Sequence, residues 1–250
     1  MHARPIKSYS CLTFDCYGTL VDWESAIYKG LAPLTSQLPP SHELYNNQPG
    51  TLRSFIQHED RVQAAQPTAG YSLVLGTAYG DFAATLGLAE PTAEEKARFG
   101  ASVGEWPAFP DTIEALRRLQ KHFKLVILSN VDWESFRKTL AGPLAGITFD
   151  AVYVAEDIGS YKPDLRNFRY LIERCGKDLG VGQDGIIHTA YSLVHDLAPA
   201  KQVGLAGAWI ERGENIPSAM AGDLKELEGQ VDISWRFKNM REMADFVDSQ

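Results

Sequence analysis

Short apolar runs recur along the chain and predict buried strands. Such uninterrupted runs are typical of strands that are covered on both faces of a parallel sheet. Helical patterns lie between several of them, and this alternation predicts an α/β fold with a doubly wound parallel sheet. The runs are Cys11 to Phe14, Leu125 to Leu128, Ala151 to Val154, Gly185 to Thr189 and Leu205 to Ile210.

Two helices are predicted between these runs. Apolar residues at Ile113, Leu116 and Leu119 predict a helix over 111–121, with Asp111 as its N-cap. A second helix is predicted over 163–174, with Pro163 in its first turn.

The segment from Trp23 to Trp106 interrupts the alternation. It is far longer than one crossover helix needs, and it contains helical patterns over 52–64 and 71–86. The stretch from Trp106 to Pro110 is typical of a hinge that returns to the sheet. We therefore predict a core domain over 1–22 and 107–250, with an inserted helical cap domain over 23–106.

Composition and charge limit the kinds of partner and the cell compartment that the sequence favours. The 250 residues carry a formal net charge of -8, which argues against nucleic acid or an anionic membrane as the main partner. The three cysteines form no CxxC pair, and this favours a reducing compartment. The chain start shows no signal-peptide pattern and no run is long enough to span a membrane, so we expect a cytoplasmic protein.

Polar side chains follow the predicted strands where each one ends. Asp15 comes directly after the first run, and Ser129 and Asn130 follow the second. Lys162 and Asp196 lie in later turns. Ligands of open α/β sheets bind beyond the carboxyl ends of the strands, so these groups are expected to converge there. Two carboxylates with a neutralising lysine predict a nucleophilic site.

The sequence resembles the haloacid dehalogenase superfamily in motifs spread over nearly the whole core. The first is Phe14-Asp15-Cys16-Tyr17-Gly18-Thr19-Leu20. The others are Leu128-Ser129-Asn130, Tyr161-Lys162-Pro163-Asp164 and the looser Ser192-Leu193-Val194-His195-Asp196. The resemblance implies a parallel-sheet core with a helical cap, and an ester intermediate on Asp15.

Two positions separate the chain from most phosphatases of that superfamily. Those enzymes carry an acid two residues after the nucleophile, which protonates a leaving alkoxide, and they bind Mg²⁺. Tyr17 takes the place of that acid, and Tyr191 stands where a metal-ligating acid is common. Halide leaves as a stable anion and needs neither group. The first motif is similar to that of the type II L-2-haloacid dehalogenases.

This resemblance implies hydrolysis of short 2-haloalkanoic acids to 2-hydroxyacids without metal or cofactor. Members of this branch are often dimers, so a homodimer is one candidate for an oligomeric state that the sequence leaves open. Asp15 would displace the halide, and water would then hydrolyse the ester. The residues implied for catalysis are Asp15, Thr19, Lys162 and Asp196. Those implied for substrate binding are Cys16 and Tyr17 through their backbone, Ser129, Asn130, Ser192 and, in the cap, Arg53 in preference to Arg61.

Other positions depart from the dehalogenase pattern. Leu193 stands where these enzymes carry an asparagine, and Phe168 where they carry a tyrosine. Two alternatives therefore stay open, a Mg²⁺-dependent small-molecule phosphatase and a binding protein that keeps the fold without turnover.

Three histidines are interpreted as structural. His195 is interpreted as a hydrogen-bonded histidine in preference to a charge relay with Asp196, and His188 as a core residue of its strand. His58 and Glu59 have no metal-ligating companions in the sequence, so they are assigned to a solvated helix face.

Overall fold

A parallel sheet of six strands forms the centre of the computed structural model, which describes residues 4–66, 69–212, 222–227 and 229–250. The strand order is β3-β2-β1-β4-β5-β6, and every neighbouring pair is parallel. This confirms the doubly wound α/β fold. The strands are β1 (Cys11–Phe14), β2 (Lys124–Ser129), β3 (Ala151–Val154), β4 (Ile186–Ala190), β5 (Ala206–Ile210) and β6 (Trp235–Phe237).

The first five strands match the predicted apolar runs, whereas β6 was not predicted. It has three residues, only one of which is buried, so it lacks the apolar run that marks the other strands. The prediction made for the start of the chain falls partly on residues 1–3, which lie outside the described residues.

Strand β1 lies at the point where the direction of winding reverses. Phe14 pairs with Ile127 of β2 on one side and with Thr189 of β4 on the other. The ends of the three strands therefore lie at one edge of the sheet, and the residues that follow them meet in a crevice.

Four helices lie in the segment that was predicted to be inserted after β1, and two of them, over 48–65 and 71–85, match the helical patterns identified there. Helix α2 begins before the predicted residue 52, because Asn47 accepts a hydrogen bond from the Gly50 N–H and Pro49 occupies the first turn. The helices are α1 (Trp23–Thr35), α2 (Gln48–Ala65), α3 (Tyr71–Thr85) and α4 (Ala93–Ala101), followed by a 3₁₀ turn at Ser102–Glu105.

Six further α-helices lie in the described part of the chain. They are α5 (Thr112–Leu119), α6 (Trp133–Ala141), α7 (Ala155–Ile158), α8 (Leu165–Leu179), α9 (Ala198–Gln202) and α10 (Met240–Ser249). A π-helical turn at Leu193–Leu197 precedes α9.

One predicted helix start is confirmed and one is wrong. Asp111 is the N-cap residue of α5, as predicted, but its carboxylate makes no capping hydrogen bond and accepts from Arg212 and the Met240 N–H. Helix α8 begins after Asp164, whose carboxylate accepts from the Arg166 N–H, so Pro163 lies before the cap and outside the first turn.

In the described part of the chain, no helix is both long enough and apolar enough to cross a membrane.

Candidate active site

A buried lysine joins two buried carboxylates at the ends of the central strands. The Lys162 ammonium lies 2.8 Å from Asp15 Oδ1 and 2.7 Å from Asp196 Oδ1. It also donates to the Leu128 carbonyl at 3.1 Å. The exposed fractions are 8% for Asp15, 4% for Lys162 and 1% for Asp196. The structure thus brings together the charged groups that the sequence placed at separate strand ends.

The turn after β1 fixes the orientation of Asp15. Gly18 adopts a φ of +99°, and a Cβ there would lie 3.0 Å from the Trp23 indole nitrogen, so glycine suits this turn. The turn brings Thr19 back to the carboxylate, where its hydroxyl donates to Asp15 Oδ2 at 2.7 Å. The Tyr191 N–H donates to the same Thr19 oxygen at 2.9 Å. Both Asp15 oxygens are therefore held, one by Lys162 and one by Thr19.

Asn130 positions Lys162. Its side-chain nitrogen donates to the Lys162 carbonyl at 3.0 Å, and its oxygen accepts from the Lys162 N–H at 2.7 Å. Asn130 lines the pocket, but both of its side-chain polar atoms are engaged by the lysine backbone. This differs from the expected direct contact with substrate and indicates a positioning role.

His188 supports Asp196 from within β4. Its Nε2 lies 2.9 Å from Asp196 Oδ1, and its Nδ1 lies 2.9 Å from Thr13 Oγ1. The ring is fully buried. Because an ionised carboxylate only accepts hydrogen bonds, Nε2 is assigned as the donor to Asp196. His188 is thus a core histidine with both nitrogens paired, as the sequence indicated.

The two carboxylates differ in basicity. Burial raises the pKa of Asp15, and the opposing effects of Lys162 and Thr19 do not fully offset it. Burial also acts on Asp196, but Lys162 and His188 outweigh it and lower the pKa of Asp196 to about 2. Burial opposes the charge on Lys162, yet the two carboxylates raise its pKa overall. Asp15 is therefore the more basic carboxylate and the better nucleophile.

A small pocket of about 100 Å³ opens over Asp15 between the sheet edge and the inserted helices. The sheet side contributes Asp15, Tyr17, Ser129, Asn130, Val131, Lys162, Tyr191, Ser192, His195 and Asp196. The inserted helices contribute Trp23, Ile56, Glu59, Asp60, Gln63 and Tyr71.

A family model described as a haloacid dehalogenase-like hydrolase matches residues 9–183 of this chain, which includes Asp15, Ser129 and Lys162. The chain belongs to this family. A curated relative, (S)-2-haloacid dehalogenase 4A of Burkholderia cepacia, is 27% identical over 237 residues, which are 92% of this chain and 95% of that protein.

Solved structures of the family share the fold. The L-2-haloacid dehalogenase of Xanthobacter autotrophicus with chloropropionic acid covalently bound has a TM-score of 0.72 and 18% identity, over 97% of this chain and 99% of that one. The putative HAD-hydrolase YfnB of Bacillus subtilis, bound to magnesium, has a TM-score of 0.69 and 18% identity, over 96% and 99%. One fold can host different chemistries, so the side chains of the site must decide between them.

The side of the pocket that the inserted helices form, here called the cap wall, differs from the arrangement that the dehalogenase resemblance implied. Arg53 is exposed and lies outside the pocket, one turn before Ile56 in α2, so the structure does not bring this expected cap arginine to Asp15. Arg61 is directed back along the helix to the Gln57 carbonyl and His58 Nδ1. No arginine of the described chain lines the pocket.

Acidic and amide side chains occupy that wall instead. Glu59 is 9% exposed, and its Oε1 accepts from the Tyr71 hydroxyl at 2.9 Å and from Gln63 Nε2 at 3.2 Å. Burial raises the pKa of Glu59 to about 7, despite the hydrogen bond from Tyr71. The assignment of His58 and Glu59 to a solvated face is therefore wrong, since both are buried.

Neither Cys16 nor Tyr17, the two residues that follow Asp15, supplies a carboxylic acid to the site. The Tyr17 hydroxyl lies 2.7 Å from Thr139 Oγ1, and burial raises the pKa of Tyr17 well above its ordinary value. Cys16 is fully buried, and its side chain is not part of the pocket wall, so only its backbone can serve the expected binding role. In the described part of the chain, no group of three or more His, Cys, Asp or Glu side chains is arranged to hold a metal ion.

Ser129 presents an unpaired hydroxyl to this site. The residue is 2% exposed and lines the pocket, and its Oγ has no hydrogen-bond partner among the described residues. A buried hydroxyl without a partner is costly, so the site is built to receive a polar group there.

Sequence reasoning missed several pocket residues. Among them are the cap residues Glu59, Asp60, Gln63 and Tyr71, and His195, which had been interpreted as structural. Ile56, Asp60 and Gln63 are spaced along α2 so that they share one helix face, and this spacing could have identified them as a group. Nothing in the sequence pattern indicates which face of α2 turns toward Asp15.

Proposed function

We propose that this protein hydrolyses short 2-haloalkanoic acids to 2-hydroxyacids through an ester on Asp15. The observation that carries the proposal is a buried, basic carboxylate that opens into a small pocket and is held by Thr19 and Lys162. Two residues after Asp15 stands Tyr17, whose hydroxyl is hydrogen-bonded to Thr139, so this position has no carboxylic acid to protonate an alkoxide. The dehalogenase relative supports the same chemistry.

The first step forms one bond and breaks one. An Asp15 oxygen attacks the α-carbon of the substrate from the side opposite the halogen, and the carbon–halogen electron pair leaves with the halide. The negative charge of Asp15 passes to the halide, so no proton moves in this step. Thr19 and Lys162 hold the carboxylate in its attacking orientation.

The substrate carboxylate is received by neutral donors. Lys162 is the one lysine or arginine in the pocket wall of the described chain, and the two carboxylates of Asp15 and Asp196 already exceed its single positive charge. A second anion therefore gains little from charge and depends on hydrogen bonds. The Ser129 hydroxyl and the backbone around Cys16 and Tyr17 supply them.

Halide release in the presence of chelator tests this function. The purified protein is incubated with chloroacetate, bromoacetate and each enantiomer of 2-chloropropionate, with and without EDTA, and we expect equal halide release in both. Activity that disappears with EDTA, or magnesium-dependent phosphate release from a panel of phosphate esters, would support the phosphatase instead. No turnover and no adduct on Asp15 would support a binding protein without activity.

Ser129→Ala should weaken substrate use without weakening the fold. Losing one hydrogen bond to the bound carboxylate should lower kcat/KM about tenfold. The free energy of unfolding should change by less than about 0.5 kcal/mol, because the deleted hydroxyl has no partner in the part of the chain that the structure describes. Steady-state halide release and urea unfolding measure the two effects.

Ser135→Ala is the matched control, since Ser135 is equally buried but does not line the pocket. Its kcat/KM should equal that of the wild type. Unchanged kcat/KM in Ser129→Ala would remove Ser129 from the substrate site.

Three further features of the protein are proposed from its sequence. They are the division into a core and a cap at 23–106, a homodimer, and a cytoplasmic location. Limited proteolysis, light scattering and cell fractionation would test them in turn.

A further inference from the structure

The second half of the proposed reaction needs a base. Water must attack the ester carbonyl carbon of Asp15, and its proton must move to a nearby group. Leu193 stands where the dehalogenases carry an asparagine, and it is fully buried against Leu197 and Trp209. That position therefore offers no polar atom to the water.

A π-helical turn brings His195 to the pocket instead. The turn spans Leu193–Leu197 and places both His195 and Asp196 in the pocket wall. The N–H of His195 donates to Ser192 Oγ at 3.1 Å, and its ring Nδ1 lies 3.3 Å from the same oxygen. Within the described chain, Nε2 has no hydrogen-bond partner and is not buried from solvent. One ring nitrogen is thus held and the other is open.

The other titratable groups around Asp15 are poorer bases. Asp196 accepts from Lys162 and His188 through one oxygen, and its pKa of about 2 makes it a weak base. Lys162 is an ammonium between two carboxylates. Glu59 has a suitable pKa of about 7, but it lies on the cap wall and is engaged by Tyr71 and Gln63.

We propose that His195 is the general base that activates water for hydrolysis of the Asp15 ester, an inference that rests on the proposed function. Nε2 takes a proton from water as the oxygen bonds to the Asp15 carbonyl carbon. The bond from that carbon to the substrate oxygen then breaks, and the leaving alkoxide takes the proton from His195. Asp15 is left as a carboxylic acid, which releases its proton to solvent and regenerates the carboxylate.

Ser192 is the positioning residue in this scheme. The reaction requires the tautomer in which Nδ1–H donates to Ser192 Oγ and Nε2 carries the lone pair. Ser192 was expected to bind substrate, and its contact with His195 gives it this second role.

The charges that face His195 come from both walls of the pocket. Burial lowers its pKa, as does Lys162, whereas Asp196, Asp60 and Asp15 oppose this effect. The net lowering leaves the ring neutral, and so able to accept a proton, at neutral pH. The rate of ester hydrolysis should therefore rise with pH and level off once His195 has lost its proton, at a pH below the ordinary pKa of histidine.

Single-turnover kinetics with bromoacetate separate the two half-reactions. Samples are quenched in acid and the mass of the intact protein is recorded, so that the ester appears as a carboxymethyl adduct. In His195→Gln we expect the adduct to form within threefold of the wild-type rate. We expect its hydrolysis to slow by roughly 10²- to 10⁴-fold, so that the adduct accumulates.

Three variants serve as comparisons. His122→Gln changes a partly exposed histidine that contacts Asp248 outside the pocket, and it should match the wild type in both steps. Glu59→Gln removes the competing base and should not accumulate the ester. Ser192→Ala should slow hydrolysis less than His195→Gln and shift its pH profile, which a purely structural serine would not do.

Wild-type hydrolysis rates in His195→Gln, or accumulation of the ester in Glu59→Gln instead, would overturn the inference. If His195→Gln fails to fold, the pH dependence of adduct decay in the wild type tests the role of His195. A rate of decay that does not change with pH would also overturn the inference. A wild type that releases no bromide and forms no adduct would overturn the proposed function, and that failure is distinguishable because the first half-reaction itself is missing.

Discussion

Asp15→Asn should abolish halide release, with kcat reduced by about four orders of magnitude or more. Asparagine keeps the shape of the side chain, so the pocket and the Thr19 and Lys162 contacts are retained in outline. An amide is a far weaker nucleophile than a carboxylate and cannot form the ester. Steady-state halide release and intact-mass analysis with bromoacetate measure the loss of turnover and of the adduct.

The stability of this variant separates a chemical effect from misfolding. Burial disfavours the charged form of Asp15, and its removal leaves Lys162 paired one-to-one with Asp196. The free energy of unfolding should therefore stay level or rise. Asp245→Asn, which changes an exposed partner of Arg118, should retain full activity. Wild-type turnover in Asp15→Asn would assign the nucleophile to another residue.

The sheet and the charged centre could be predicted because local sequence determines them. Strands buried on both faces are mostly apolar, and every residue of β1 and β4 is buried although Thr13, His188 and Thr189 are polar. Parallel strands place their ends at one edge, so the polar residues after β1 and β2 had to be neighbours. That geometry located Asp15 and Ser129 without knowledge of any distance.

The cap wall could not be predicted because it depends on how two elements face each other. Arg53 and Asp60 lie two turns apart in α2, and the sequence pattern does not show which turn lies over Asp15. The arginine was preferred on family resemblance, whereas packing placed Glu59 and Asp60 there. The same limit applies to His195, since a π-helical turn changes which residues share a face.

Lys162→Met should both destabilise and inactivate the protein. Methionine fills a similar volume but leaves Asp15 and Asp196 buried without the cation between them. Removing one partner from a buried ion pair typically costs about 3–5 kcal/mol. Without the ammonium, the pKa of Asp15 should rise further and reduce the fraction that can attack at neutral pH. Urea unfolding and halide release measure the two losses.

The pH dependence of the lost stability has a definite sign. In Lys162→Met, burial should hold the folded-state pKa of both carboxylates above the unfolded value of about 3.9. The folded state then binds more protons than the unfolded state, so stability is greatest at low pH and falls as pH rises through the folded-state values. The difference in unfolding free energy between variant and wild type should therefore grow between pH 5 and pH 8. Taking the difference removes the contribution of Glu59, which both proteins share.

Lys124→Met is the matched control for this substitution. Lys124 is 43% exposed and lies 3.4 Å from Asp150, so its ion pair is screened by solvent and worth less than about 1 kcal/mol. Its loss should leave activity and the pH dependence of stability unchanged. If Lys162→Met were as stable as Lys124→Met at pH 8, the ammonium would not be compensating two buried charges. The assignment of Asp15 as an ionised nucleophile would then fail with it, because nothing else in the described pocket balances a second buried negative charge.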